Sequence, residues 1–100
     1  MIIVLGSATP EPRQFERALQ ISRAHVERSR AEPGCISHAV CIADGEPGSL
    51  LFVERWATLD DLHRHFAVAE SRVFGRELSS LCAQPPSMTV HDASEVPIRP

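Results

Sequence analysis

Two stretches decide the fold: CISHAVCIA at residues 35–43 and SLLFVERW at residues 49–56, separated by Asp44-Gly45-Glu46-Pro47-Gly48. Both runs are short, rich in β-branched and apolar residues and bounded by turn formers, which is the signature of a strand pair. Setting Ala43 opposite Ser49 pairs Ile42 with Leu50, Val40 with Phe52, His38 with Glu54 and Ile36 with Trp56. Strand side chains alternate, so all of these share one face. The other face carries Cys35, Ser37, Ala39, Cys41, Leu51, Val53 and Arg55. A sheet with one wet face alternates apolar with polar more cleanly than this. The hairpin is therefore expected to lie between its own helices and a second copy of the chain.

Working outward, residues 1–7 (MIIVLGS) read as a buried strand closed by Gly6. Ala8 to Pro12 is the connector, and Pro12 suits a first helical turn, where its missing N–H costs nothing. Residues 13–31 predict a helix, with Phe15, Ala18, Leu19, Ser22, His25, Val26 and Ser29 on one stripe. Glu32-Pro33-Gly34 stops it. Thr58 is the expected N-cap of the next helix, with Asp61 three residues on and Leu59, Leu62 and Phe66 as the apolar stripe. A further helix over about 69–82 presents Val73, Phe74, Leu78, Leu81 and Cys82, Pro85-Pro86 ends it, and residues 87–93 predict the last strand. The order β-α-β-β-α-(α)-β predicts an α+β, ferredoxin-like split βαβ fold with a four-stranded antiparallel sheet. Residues 1–93 form that one domain, and 94–100 are expected to be a loosely held tail.

Composition narrows the function. One hundred residues suit one domain, and a domain this small hides only roughly two-thirds of its unfolded surface, a shortage that a partner subunit relieves. The net charge of −3 argues against nucleic acid, whose phosphates call for a basic surface. Cys35, Cys41 and Cys82 are odd in number and form no CxxC pair, so they read as small buried apolar residues. The opening Met1-Ile2-Ile3-Val4-Leu5 lacks a basic leader, and no run approaches the roughly 20 apolar residues that span a bilayer. A cytoplasmic protein without membrane contact is expected.

Three pieces, Glu32-Pro33-Gly34-Cys35, then Leu51-Phe52-Val53-Glu54-Arg55-Trp56, then Leu62-His63-Arg64-His65-Phe66, together resemble the antibiotic biosynthesis monooxygenase family. The resemblance covers essentially the whole chain in element order. It implies a dimeric α+β barrel made by two sheets packed face to face, with a pocket between sheet and helices in each subunit. It also implies oxygenases that use no cofactor on quinols or polycyclic phenols, alongside haem-degrading members. Trp56 and His65 match positions that often line the pocket. The polyketide-tailoring members use a Tyr and an Asn with the Trp, whereas this chain contains neither residue. The haem-degrading members rely on an Asn near the first strand, where Leu5-Gly6-Ser7 stands here.

The residues themselves supply candidate chemistry. His38 and Glu54 are cross-strand neighbours, and a carboxylate beside an imidazole fixes its tautomer and raises its basicity, as a general base requires. A base that removes a phenolic proton leaves an electron-rich anion able to reduce O₂. A structural hydrogen-bonded pair is the plainer reading of the same two residues. Trp56 is either a platform for a planar aromatic ring or a plug at the end of the core. His65 is base or hydrogen-bond donor by the resemblance. His25 is a pocket-wall residue, and Phe52, Phe66 and Phe74 are core residues that can double as apolar wall. His63 and His65 point to different sides of their helix, no H-x-x-x-H pair exists, and no metal site is expected. The expectation is thus a homodimer that oxidises a small planar phenol or quinol with O₂ and no cofactor. The alternatives are a non-catalytic binding dimer on the same scaffold and a haem-binding relative.

Overall fold

The computed structural model describes residues 1–45 and 47–100, so the expected 44–48 loop includes Glu46, which lies outside the described residues. Strand β1 (Ile2–Ala8) leads through a short 3₁₀ turn at Pro12–Gln14 into α1 (Phe15–Arg30), and β2 (Cys35–Ala43) and β3 (Ser49–Trp56) follow as the hairpin. Helices α2 (Leu59–Ala67) and α3 (Ala69–Ser80) precede β4 (Ser87–Asp92). The sheet order is β2-β3-β1-β4 with every neighbour antiparallel. This is the ferredoxin-like α+β arrangement, with the helices on one face.

The hairpin register is as expected over most of its length: His38 faces Glu54, Val40 faces Phe52, Ile42 faces Leu50 and Ala43 faces Ser49. Its end differs. Trp56 pairs with Cys35, not Ile36, because the ladder slips between Cys35 and Ser37. An extra residue in one strand turns the next side chain to the opposite face. Ile36 is consequently 49% exposed, while Cys35 packs against the Ile2, Val4, Trp56 and Leu62 cluster.

The apolar core has two parts. The larger joins Ala8, Ala18, Leu19, Ile21, Leu50, Phe52 and Leu78, and the smaller holds Ile2, Val4, Trp56 and Leu62. The α1 stripe buries Ala18, Leu19, Ser22, His25, Val26 and Ser29, as its spacing predicts, together with Ile21. Helix α2 starts at Thr58, whose Oγ1 accepts the Asp61 backbone N–H at 3.1 Å. Its inner side is Leu62 and His65, whereas Leu59 and Phe66 are exposed, so the three-residue apolar stripe is corrected to an apolar–imidazole pair. Val73 of α3 also faces outward, and Leu78 carries that helix's burial. Gly34 (φ +78°) follows the α1 stop in the left-handed region, and a side chain there would collide with Asp61. Its backbone oxygen accepts the Ala57 N–H at 2.8 Å, joining the α1–β2 connection to the end of β3.

The opposite sheet face carries Leu5, Leu51 and Val53, all exposed. No helix among the described residues is long and apolar enough to cross a membrane. Residues 94–100 carry no helix or strand and lie exposed beyond Ala93, whose N–H bonds the Met1 carbonyl at 2.8 Å.

Candidate functional site

Between the two apolar parts of the core lies a polar cluster assembled from four elements. Helical spacing on α1 carries His25 inward, strand alternation puts His38 of β2 and Glu54 of β3 on the same face, and α2 contributes His65 one turn after Leu62. All four side chains are buried, as is Trp56. Glu54 is the hub: its Oε1 accepts the Trp56 indole N–H at 2.9 Å and lies 3.3 Å from His38 Nε2 and 3.9 Å from His65 Nε2. The His38 approach is close but not aligned as a hydrogen bond, and neither His38 ring nitrogen has a hydrogen-bond partner among the described residues. His25 Nδ1 is likewise without one.

His65 is better tethered. Its Nδ1 sits 2.9 Å from Glu32 Oε1, so Nδ1–H donates to the carboxylate and the ring lone pair is left on Nε2 as the free base nitrogen. The His65 ring lies over Trp56, with centroids 4.7 Å apart and a 35° tilt. His25 stacks on Phe74 at 4.0 Å and 8°. Arg30 Nε donates to the His38 backbone oxygen at 3.0 Å, which ties α1 to the strand that carries His38.

Burial sets the protonation states. His25 is held down at about 3, chiefly because the charged form is desolvated, and further because His38 and His65 face it, with Arg28 adding and Glu54 opposing. It is therefore a neutral imidazole at physiological pH. For Glu54, burial would raise the carboxyl, but the His38 imidazole, the Trp56 N–H and His65 outweigh it and hold the group below its ordinary value. Cys35, beside this cluster, is pushed up by burial and then by the Glu32 and Glu54 carboxylates, so it stays a thiol.

The cluster forms one end of a cavity of about 340 Å³ between the sheet and the helices. His25, Glu54 and His65 supply its polar end, while Phe52, Phe66, Phe74, Leu78 and Met88 form the apolar wall, with Arg72 and Ser71 also on the lining. Apolar walls with few convergent polar groups are the usual make-up of a small-molecule site. Of the sequence candidates, His25, Phe52, Glu54, His65, Phe66 and Phe74 line the cavity. Trp56 and His38 stand one layer behind it, Trp56 bonded to Glu54 and His38 edge-on to the indole. The expectation of no metal site considered spacing along a single helix. The fold instead draws His25, His38 and His65 from three elements, with one ring nitrogen of each within 4.8 Å of the others.

Sequence reasoning missed Glu32, Arg72 and Met88. Glu32 entered as part of a helix stop and of the Glu32-Pro33-Gly34-Cys35 piece of the resemblance, and was given no role at the site. Arg72 and Met88 carry no local signal, since the approach of α3 and β4 alone brings them to the cavity.

Comparison with known proteins places this geometry among relatives. The antibiotic biosynthesis monooxygenase profile matches residues 1–76. An uncharacterized protein of Synechocystis sp. (strain ATCC 27184 / PCC 6803 / Kazusa) is 31% identical over 94 residues, covering 94% of this chain, and the chain spans 64% of that curated relative's length. Among solved structures, a Deinococcus radiodurans protein assigned to the antibiotic biosynthesis monooxygenases superposes with a TM-score of 0.91 at 23% identity, over 99% of this chain and 98% of its own. A Mycobacterium tuberculosis protein gives a TM-score of 0.86 at 21% identity, over 95% and 96%. At these identities, the likeness to the solved structures is one of fold.

Proposed function

We propose, from the premise that this chain belongs to the antibiotic biosynthesis monooxygenase family, that it oxidises a small planar phenol or quinol with O₂ inside the cavity between sheet and helices. The observation that carries this reading is the Glu32–His65 pair, a carboxylate-tethered imidazole whose free nitrogen is at the polar end of an aromatic-walled cavity. His65 Nε2 takes the phenolic proton, and the Glu32 carboxylate stabilises the imidazolium that results. The phenolate then gives an electron to O₂, and recombination forms a ring C–O bond. One oxygen atom stays in the product and the other leaves as water. For a hydroquinone the balance is quinol plus O₂ to hydroxyquinone plus water, the substrate supplying every electron, so neither flavin nor metal enters the stoichiometry.

Phe52, Phe66 and Phe74 hold the ring by apolar and edge-to-face contact. Trp56 acts through Glu54, and Glu54 with His38 sets the field around His65. A cytoplasmic homodimer belongs to the same proposal, supported by the exposed Leu5, Leu51 and Val53 on the bare sheet face. The lack of Tyr and Asn favours a second reading, a binding dimer without turnover on the same cavity.

Oxygen uptake with simple hydroquinones separates the two. Turnover that falls roughly 10²–10⁴-fold in His65→Ala supports the base assignment. No uptake above background with any phenolic substrate, while the same compounds still bind, leaves the binding module.

A further inference from the structure

We propose that His25, His38 and His65 form a binding site for a single divalent transition-metal ion at the polar end of the cavity, with the Glu54 carboxylate as the fourth, charge-balancing ligand. The inference does not depend on the oxygenase reading, and the two have separate tests.

The geometry carries it in three steps. The three imidazoles converge from α1, β2 and α2, each within reach of the other two, with ring centroids 5.2–5.7 Å apart and one nitrogen of each within 4.8 Å of the others. Zinc bonds to imidazole nitrogen at about 2.0–2.1 Å, so a tetrahedral ion holds its nitrogens roughly 3.3–3.4 Å apart. Ring rotations moving each nitrogen on the order of 1 Å close that gap. Glu54 Oε1 is already 3.3 Å from His38 Nε2 and 3.9 Å from His65 Nε2, which is ligand-to-ligand spacing.

The hydrogen-bond accounting is the second step. Buried polar atoms are nearly always partnered, and exceptions point to a function. Of the four such atoms among the described residues, Ser22 Oγ lies on α1, and the other three fall together: His25 Nδ1 and both His38 nitrogens have no hydrogen-bond partner, although both side chains are more than nine-tenths buried. Three imidazoles with one carboxylate suit zinc, cobalt, nickel, copper or ferrous iron, and not calcium or magnesium, which take oxygen ligands.

Orientation is the third step. Metal-binding histidines commonly donate their other ring N–H to a carboxylate, which fixes the ring and strengthens the ligand. Glu32 already does this for His65, leaving Nε2 toward Glu54. An ion held there takes the same Nε2 lone pair that would accept a phenolic proton. Metal loading is therefore expected to suppress base-driven oxygen uptake rather than support it.

The test is a titration of the chelator-stripped full chain with CoCl₂, with no substrate present. One Co²⁺ per chain is expected, with the intense visible absorption of a four-coordinate ion that Zn²⁺ then abolishes, and a melting temperature that rises with Zn²⁺ concentration. His25→Phe, checked for folding by circular dichroism, is expected to weaken Co²⁺ binding at least 100-fold, and Glu32→Gln by about 10–100-fold. His91→Ala, on an exposed strand residue, should leave binding unchanged. Wild-type protein that shows no four-coordinate spectrum at millimolar Co²⁺ overturns the proposal without any variant. So does binding that survives His25→Phe undiminished.

Discussion

Under one sheet, and at the same depth, lie two regions of opposite chemistry. Toward the loop end of the hairpin, Leu50 and Phe52 meet Ala18, Leu19, Ile21 and Leu78 in an apolar cluster. Toward the other end, His38 and Glu54 meet His25 and His65, with Trp56 behind them. Both regions are made by the same pair of strands and the same helix α1. The apolar half stabilises by burial. The polar half does the opposite, since each buried polar atom without a partner costs about 1–3 kcal/mol. The lesson is that one half of this fold holds it together, and the other is maintained against its own cost for what it can bind or react with.

The largest expected effect tests the apolar half. Leu50→Ala removes a fully buried side chain from its centre and should cost about 2–5 kcal/mol in denaturant unfolding. A loss below about 1 kcal/mol would mean that this half is not the source of stability. Next is Trp56→Phe, which deletes the N–H that Glu54 accepts at 2.9 Å. A hydrogen bond to a charged group is worth about 1.5–3 kcal/mol, and that much stability should go, together with an upward move of the Glu54 carboxyl seen by NMR titration. A carboxyl that does not move would show that the indole is packing only, and the polar half would lose its hub.

How much of this division could be read in the chain follows the range of the signals. The hairpin register from His38–Glu54 to Ala43–Ser49 was legible because alternation and loop length fix it locally. The slip at Ile36 was not, because the apolar alternation runs on through it unbroken, and only the packing of Cys35 beside Leu62 and Trp56 selects the bulge. The inward positions of His25, His38 and Glu54 were each legible from periodicity. Their convergence with His65 was not, since it depends on how α1 and α2 approach the sheet, and no spacing along the sequence encodes that. Glu32 illustrates the same limit: its place at a helix stop was plain, while its bond to a ring 33 residues away was not.

Acid sharpens the comparison. In the metal-free chain, with a chelator present, His25 takes its proton only at about 3 when folded but near 6.5 when unfolded. Above pH 6.5 both states are neutral there, and its contribution is complete. As the pH falls from 6.5 toward 3 the unfolded chain alone gains a proton, so stability drops by up to roughly 1.4 kcal/mol per pH unit. His38, His65 and Arg28 add to the depression and Glu54 opposes it. Glu54 is itself held below its ordinary value, so its protonation at lower pH works in the same direction. Unfolding free energies that stay flat from pH 7 to pH 4.5 would show that the imidazole is hydrated, and the polar half would not be dry.

The smallest expected change in stability is the most decisive for the contrast. His25 already stacks on Phe74 like a second phenyl ring, and its Nδ1 has no partner among the described residues. Replacing it with Phe keeps the ring, removes the orphaned nitrogen and relieves the crowding of three imidazoles. Exchanging buried polar groups for apolar ones of similar shape is often neutral or stabilising. His25→Phe should therefore unfold within about 1 kcal/mol of the parent chain, on the stabilised side, and should flatten the acid dependence between pH 6.5 and 4.5. An apolar core residue changed as drastically would never be so forgiving. If His25→Phe instead lost more than about 2 kcal/mol, the imidazole would be a structural part of the core, and the two halves under the sheet would differ in composition but not in purpose.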